Sequence, residues 1–136
     1  MIDNVFVNKS AMIERCLQRI AEEYQDDFSR LENSYTVQDS VILNLQRACE
    51  AAIDLAMHLI SQDKLGVPQS SRDGFRILEQ HKLISQPLSE ELQKMVGFRN
   101  VAVHDYQAMH LPIVKAILET KLSVFEQLLT ELKEKR

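Results

Sequence analysis

The chain has 136 residues, of which 45% are apolar and 26% are charged. This size and composition are typical of one globular domain with a buried core, so we assign residues 1–136 to a single domain. The net charge of −4 weighs against tight, non-specific binding to nucleic acid, and no DNA binding is expected. No apolar run approaches the roughly 18 residues of a membrane span, and the first residues lack the basic and apolar regions of a secretory signal.

The first predicted helix covers residues 9–32, where apolar side chains recur every three or four positions. The second opens at Thr36, which together with Asp39 resembles a capping box, and is expected to run to about Asp63. Apolar residues on several of its sides make it the central, most buried helix. Gly66 and Pro68 then end the helical pattern, because glycine accepts a left-handed turn and proline interrupts the ladder.

Three more helices are predicted in the second half of the chain. A short one begins near Ser70 and runs to about Leu83, and the next is expected to be capped by Ser89. The last starts near Pro112, a residue favoured in a first helical turn, and continues toward the C-terminus. No strand pattern is present, so the prediction is an all-α, up-down bundle of four principal helices plus a short helix.

The two cysteines, Cys16 and Cys49, lie inside helical patterns and have no CxxC spacing. This arrangement predicts buried, reduced thiols in a cytoplasmic protein rather than a disulfide. The four histidines include no pair at the i, i+4 spacing of a helical metal site, so no metal is expected. The sequence also has no P-loop or other Gly-rich phosphate-binding motif, and no cofactor is expected.

Polar residues concentrate in the stretch RNVAVHDY, residues 99–106. On a regular helix, with about 100° per residue, Asn100 and His104 stack on each other while Arg99 and His104 point about 140° apart. The neighbouring apolar side chains, Met95, Phe98, Val101 and Ala102, are expected to face the core. A straight helix would not aim Arg99 and His104 at one atom, so either the helix ends near residues 103–105 or a second copy of the chain supplies the partner groups. From the residues alone, an ordinary solvent-facing helix side is the simplest interpretation.

The same string resembles the Arg-x4-His-x-Tyr signature of the HEPN superfamily, and its MVGFRN lead-in resembles the HepT-type toxin branch found in HepT/MntA systems. The resemblance extends along the chain: two long N-terminal helices, the Gly-Val-Pro connector, the Asp-Gly-Phe segment and the closing helix. Arg99, Asn100, His104 and Tyr106 all match the pattern.

The resemblance implies a metal-independent endoribonuclease, the toxin of a toxin–antitoxin pair, with its active site formed across a homodimer cleft. Arg99 and His104 would be catalytic and Asn100 supporting. Histidine, with an ordinary pKa of about 6.5, can accept or donate a proton near neutral pH. Arginine offers a permanently charged fork that matches phosphate oxygens. Tyr106 would be AMPylated by a minimal nucleotidyltransferase antitoxin, and the added charge and bulk would block RNA.

Two alternatives remain open from the sequence. The protein could be a non-catalytic helical module that binds a nucleotide or a partner protein, which its acidic charge favours. A polar stripe on the second helix could be a row of ion pairs, or part of it could line the dimer cleft and support Arg99 or His104; it consists of Arg47, Glu50, Asp54 and His58.

Overall fold

The computed structural model describes residues 3–106 and 109–135, and these residues form seven α-helices and no strand. The helices are α1 (Asn4–Tyr24), α2 (Phe28–Asn33), α3 (Tyr35–Gln62), α4 (Ser71–Gln80), α5 (Gln86–His104), α6 (Leu111–Thr120) and α7 (Ser123–Glu134). The prediction of an all-α fold is confirmed. The helix boundaries differ from the sequence prediction in six places.

The predicted first helix is two helices with a sharp break between them. Gln25 and Asp26 both adopt the left-handed conformation, with φ of 52° and 53°, and this ends α1. Asp27 then begins α2 by accepting a hydrogen bond from the backbone N–H of Ser29. Helix α1 also begins earlier than predicted, because the side chain of Asp3 caps it by accepting from Phe6 N.

Two predicted caps were wrong. Helix α3 begins at Tyr35, where Ser34 accepts a hydrogen bond from Val37 N, so Thr36 lies inside the first turn. Helix α5 begins after Ser85 with a proline in its first turn, and the proposed cap Ser89 is a fully buried residue within the helix.

The two remaining differences concern helix ends. The short helix α4 is capped by Ser70, as predicted, but it ends at Gln80 rather than continuing to Leu83. The last predicted helix is divided by a turn at Lys121 and Leu122 into α6 and α7.

Helix α3 is the centre of the fold, as predicted. It contacts α1 along much of its length, and α2, α4 and α5 pack against other parts of its surface. Leu45, Leu55 and Leu59 of this helix are fully buried. Helix α7 packs on α5 and closes the core from that side.

Both cysteines are buried free thiols, as predicted. Burial raises the pKa of Cys49 to about 12 and also raises that of Cys16, so both thiols stay protonated and act as small apolar side chains. Among residues 3–106 and 109–135, no helix is long and apolar enough to cross a membrane.

Candidate active site

Helix α5 stops in the middle of the polar stretch. It is helical through His104, and the N–H of Asp105 makes the last helical bond, to the carbonyl of Val101. Asp105 itself has φ −151° and ψ 60°, which turns the chain away from the helix axis. Tyr106 therefore lies beyond the regular helix that carries Arg99 and His104.

Arg99 is held at the contact between α5 and α4. Its Nη2 donates to the hydroxyl of Ser71, the first residue of α4, at 3.0 Å. Its Nε is buried and has no hydrogen-bond partner in the described part of the chain. A guanidinium has five N–H donors, and only one of them has a partner among the residues that the structure describes, so the donors other than the buried Nε remain available for an anionic ligand.

Asn100 and His104 are exposed on α5. Because the helix is regular over this segment, the two residues occupy adjacent turns of one face, while Arg99 points about 140° away from His104 and about 7.5 Å back along the axis. The expected core orientation holds for Met95, Phe98 and Ala102, which are buried. It was wrong for Val101, which is 38% exposed.

Tyr106 contacts the start of the central helix. Its hydroxyl donates to Oδ1 of Asp39 at 2.5 Å, across 67 positions of sequence. Partial burial, together with this hydrogen bond to a carboxylate, raises the pKa of Tyr106 to about 12. The side chain is still 42% exposed, so the hydroxyl lies near the surface in a protonated, oriented state.

The polar stripe of α3 is mainly engaged with α1. Asp54 pairs with Lys9 at 3.0 Å, and His58 contacts Asp3 at 2.8 Å. Glu50 accepts a hydrogen bond from Gln46 within the same helix. These contacts agree with the ion-pair interpretation of the stripe.

Arg47, the remaining member of the stripe, lines a separate surface cavity with Arg15 and Arg19. A role for Arg47 in a dimer cleft stays a prediction.

A polar groove lies beside Arg99, between the start of α4 and the middle of α5. It has a volume of about 330 Å³ and is lined by Ser70, Ser71, Arg72, Arg76, Val96, Arg99 and Asn100. The sequence interpretation identified Arg99 and Asn100 but missed the other polar members, because they come from a different helix. It also missed Asp39. No three His, Cys, Asp or Glu side chains of the described residues come together as a metal site would require.

Comparison with known proteins decides the family. Residues 13–132 match the family described as ribonuclease HepT-like. The chain belongs to the HepT-like ribonuclease family. A HepT-like relative, the mRNA nuclease HepT of Shewanella oneidensis strain MR-1, is 52% identical over 132 residues, which cover 97% of this chain and 98% of the relative.

Two solved structures resemble this fold along almost its whole length. The tri-AMPylated Shewanella oneidensis HEPN toxin in complex with its MNT antitoxin superposes with a TM-score of 0.92 at 52% identity, covering 97% of this chain and 98% of that chain. A toxin–antitoxin structure with AMP-PNP gives a TM-score of 0.93 at 51% identity, covering 97% and 99%. The predicted HEPN resemblance and the predicted ribonuclease class are therefore confirmed. The individual roles of Arg99, Asn100, His104 and Tyr106 stay predictions.

Proposed function

We propose that this HepT-like chain is a metal-independent endoribonuclease and the toxin of a toxin–antitoxin pair, acting in the cytoplasm. The observation that carries the proposal is how Arg99 and His104 are placed in the Arg-x4-His segment at the end of α5. Arg99 is anchored by Ser71 yet keeps most of its donors unused, and His104 is exposed at the helix end. A fixed guanidinium and an exposed imidazole are both groups that phosphodiester cleavage uses, the first for charge stabilisation and the second for proton transfer.

The reaction can be written with these two groups. A base removes the proton of the ribose 2′-hydroxyl, the 2′-oxygen bonds to phosphorus, and the bond from phosphorus to the 5′-oxygen breaks. An acid protonates that leaving oxygen, so the products are a 2′,3′-cyclic phosphate and a 5′-hydroxyl. Imidazole serves as either the base or the acid, and the guanidinium of Arg99 stabilises the negative charge that builds on the phosphate oxygens.

The geometry of α5 supports a homodimer. One chain supplies a single histidine in this segment, whereas the reaction needs an acid and a base. The regular helix also directs Arg99 and His104 about 140° apart, so one copy does not aim both at the same phosphorus. Two copies placed with their α5 ends together would supply two imidazoles and two guanidiniums to one cleft.

Tyr106 is the proposed site of control by a minimal nucleotidyltransferase antitoxin. Its oxygen would attack the α-phosphorus of ATP, forming the tyrosyl–AMP bond and releasing pyrophosphate. Asp39 lies at hydrogen-bond distance from the hydroxyl and is the group placed to accept its proton. The attached phosphate would add negative charge close to the α5 end, where an RNA phosphate must bind, and so would prevent binding.

The cleavage proposal is tested with purified wild type, Arg99→Ala and His104→Ala, each incubated with total cellular RNA in a metal chelator. The wild type is expected to cut RNA, and both variants are expected to lose most of that activity. Cleavage that disappears in chelator would contradict a metal-independent reaction. Full activity in His104→Ala would remove the proposed acid–base role.

The modification proposal is tested by intact-protein mass after incubation with ATP and the partner. The mass is expected to rise by whole AMP units, and Tyr106→Phe is expected to abolish the rise. A rise that persists in Tyr106→Phe would place the modification elsewhere.

The second candidate, a non-catalytic helical module, is favoured by the acidic net charge of −4. If this candidate is right, expression without the partner arrests growth equally in wild type and in His104→Ala. If the protein is a nuclease, His104→Ala relieves the arrest. The local charge beside Arg99 favours the nuclease, because the adjoining groove contains three arginines.

A further inference from the structure

The groove beside Arg99 contains more positive charge than a single scissile phosphate needs. Three guanidiniums, from Arg72, Arg76 and Arg99, line one cavity of about 330 Å³, together with two serines and the amide of Asn100. No acidic side chain of the described residues lines it. Uncompensated arginines in a shared groove favour a ligand with more than one anionic group.

Arg72 is fixed across the helix contact rather than free in solvent. Its Nε donates to the backbone carbonyl of Gln93 in α5 at 3.1 Å. Its guanidinium lies directly over Gly97, where a Cβ atom would come within 2.7 Å of Nη2. Any larger residue at position 97 would displace this guanidinium, so glycine permits the close approach of Arg72 to α5.

Arg76 lies one helical turn after Arg72 on the same side of α4. Its side chain is exposed and makes no ion pair or hydrogen bond with the residues that the structure describes. Arg72 and Arg76 therefore form a short row of cations on α4, and Arg99 lines the same groove. Such a row matches the successive phosphates of a nucleic-acid backbone better than it matches one isolated phosphate.

We propose that Arg72 and Arg76 form a phosphate-binding subsite that holds the RNA strand next to the phosphate cleaved at Arg99 and His104. This inference rests on the proposed ribonuclease function. The subsite would bind through backbone phosphates, so it would position the strand and strengthen binding to RNAs of any sequence. It gives this acidic protein a local cluster of positive charge that can bind RNA.

The first test measures the affinity of wild type, Arg72→Gln and Arg76→Gln for a 2′-O-methyl oligonucleotide, which lacks the attacking hydroxyl and is not cleaved. Lys133→Gln removes one positive charge from α7, outside the groove, and is the matched control. Each groove variant is expected to weaken binding about tenfold, the loss typical of one charge-assisted hydrogen bond. The slope of log affinity against log salt should also decrease in magnitude by about 0.7 to 1, because one phosphate contact is lost.

Cleavage kinetics separate positioning from chemistry. Arg72→Gln and Arg76→Gln are expected to raise KM more than they lower kcat, whereas Arg99→Ala should act mainly on kcat. Groove variants with the affinity and salt slope of Lys133→Gln would overturn the inference. The inference would also be overturned if the groove variants lost affinity for ATP but bound the oligonucleotide as tightly as wild type does. That result would mean that the groove binds a free nucleotide.

Gly97→Ala tests the same subsite without changing any charge. The added methyl group must push the guanidinium of Arg72 away, while alanine favours the helix interior over glycine by about 1 kcal/mol. Oligonucleotide affinity is therefore expected to fall several-fold with no loss of thermal stability. Unchanged affinity in this variant, with Arg99→Ala inactive, would refute the subsite and leave the proposed nuclease standing.

Discussion

Tyr106 and Asp39 form a hydrogen bond whose effect is measurable by titration. The pKa of Tyr106 is raised to about 12, by burial and by its bond to the Asp39 carboxylate. Asp39→Asn removes the negative charge, so the pKa of Tyr106 should move down toward the ordinary value of about 10. Phenolate absorbance recorded against pH would show this, with Tyr106→Phe subtracted to remove the signals of the other tyrosines. An unshifted titration would mean that burial alone sets the pKa.

Ser71 is expected to position Arg99. Ser71→Ala deletes the hydroxyl that accepts from Nη2 at 3.0 Å and leaves the cap at Ser70 in place. Loss of one such hydrogen bond should lower kcat about three- to tenfold, with the melting temperature nearly unchanged. Ser71→Thr keeps a hydroxyl and should restore the rate. Equal rates in Ser71→Ala and wild type would show that Arg99 is held by its packing instead.

The contact between α1 and α3 makes stability depend on pH. The pKa of Asp3 is lowered from 3.8 to about 2, first by the hydrogen bond from Phe6 N and then by that from His58. Because the folded pKa lies below the unfolded value, this carboxylate stabilises the fold above about pH 4. That contribution is lost as the pH falls toward 2.

Asp3→Asn isolates the charge, because asparagine caps a helix about as well as aspartate does. The variant should melt at a lower temperature than wild type at pH 6, and the difference should shrink between pH 4 and pH 2. Glu14→Gln changes an exposed residue of α1, and its difference in melting temperature from wild type should not shrink between pH 4 and pH 2. A constant difference at all pH values would assign the effect to the shape of the cap rather than to its charge.

Element boundaries were predictable where local chemistry decided them. Ser70 caps α4 as expected, and proline occupies the first turn of α6. The break at Gln25 and Asp26 was missed, because the apolar stripe continues across it and neither residue is the glycine that left-handed φ values favour. Ser89 was taken for a cap since serine commonly has that role, but it is buried and donates to the carbonyl of Phe75 in α4.

The sequence predicted only those residues of the candidate site that lie on the same helix. Arg99, Asn100 and His104 are close in sequence, so their spacing on α5 could be worked out from helix geometry. Asp39 reaches Tyr106 across 67 positions, and Arg72 reaches α5 through a contact that depends on Gly97. These partners are determined by how helices pack, which hydrophobic periodicity does not specify.

At the scale of the whole molecule, stability depends on α3. Leu55 is fully buried at the centre of this helix, so Leu55→Ala should lower the free energy of unfolding by about 2–5 kcal/mol. Leu43→Ala, on the same helix but 40% exposed, should cost under about 1 kcal/mol. Denaturant unfolding at one fixed protein concentration would compare them, because dimerisation adds to apparent stability. Similar losses in both variants would contradict a core centred on α3.

The proposed dimer can be tested by combining two different inactive variants in one dimer. In a composite cleft, a heterodimer of one Arg99→Ala subunit and one His104→Ala subunit keeps one guanidinium and one imidazole, contributed by different copies. Co-expressing the two variants with different tags and purifying the mixed species should therefore recover part of the RNA cleavage that neither homodimer has, with a water molecule taking the acid or base role of the missing second imidazole. The regular α5 helix, which directs the two side chains about 140° apart within one copy, is the reason to expect this recovery. A heterodimer as inactive as its parents would contradict a cleft in which Arg99 of one copy and His104 of the other are sufficient for cleavage.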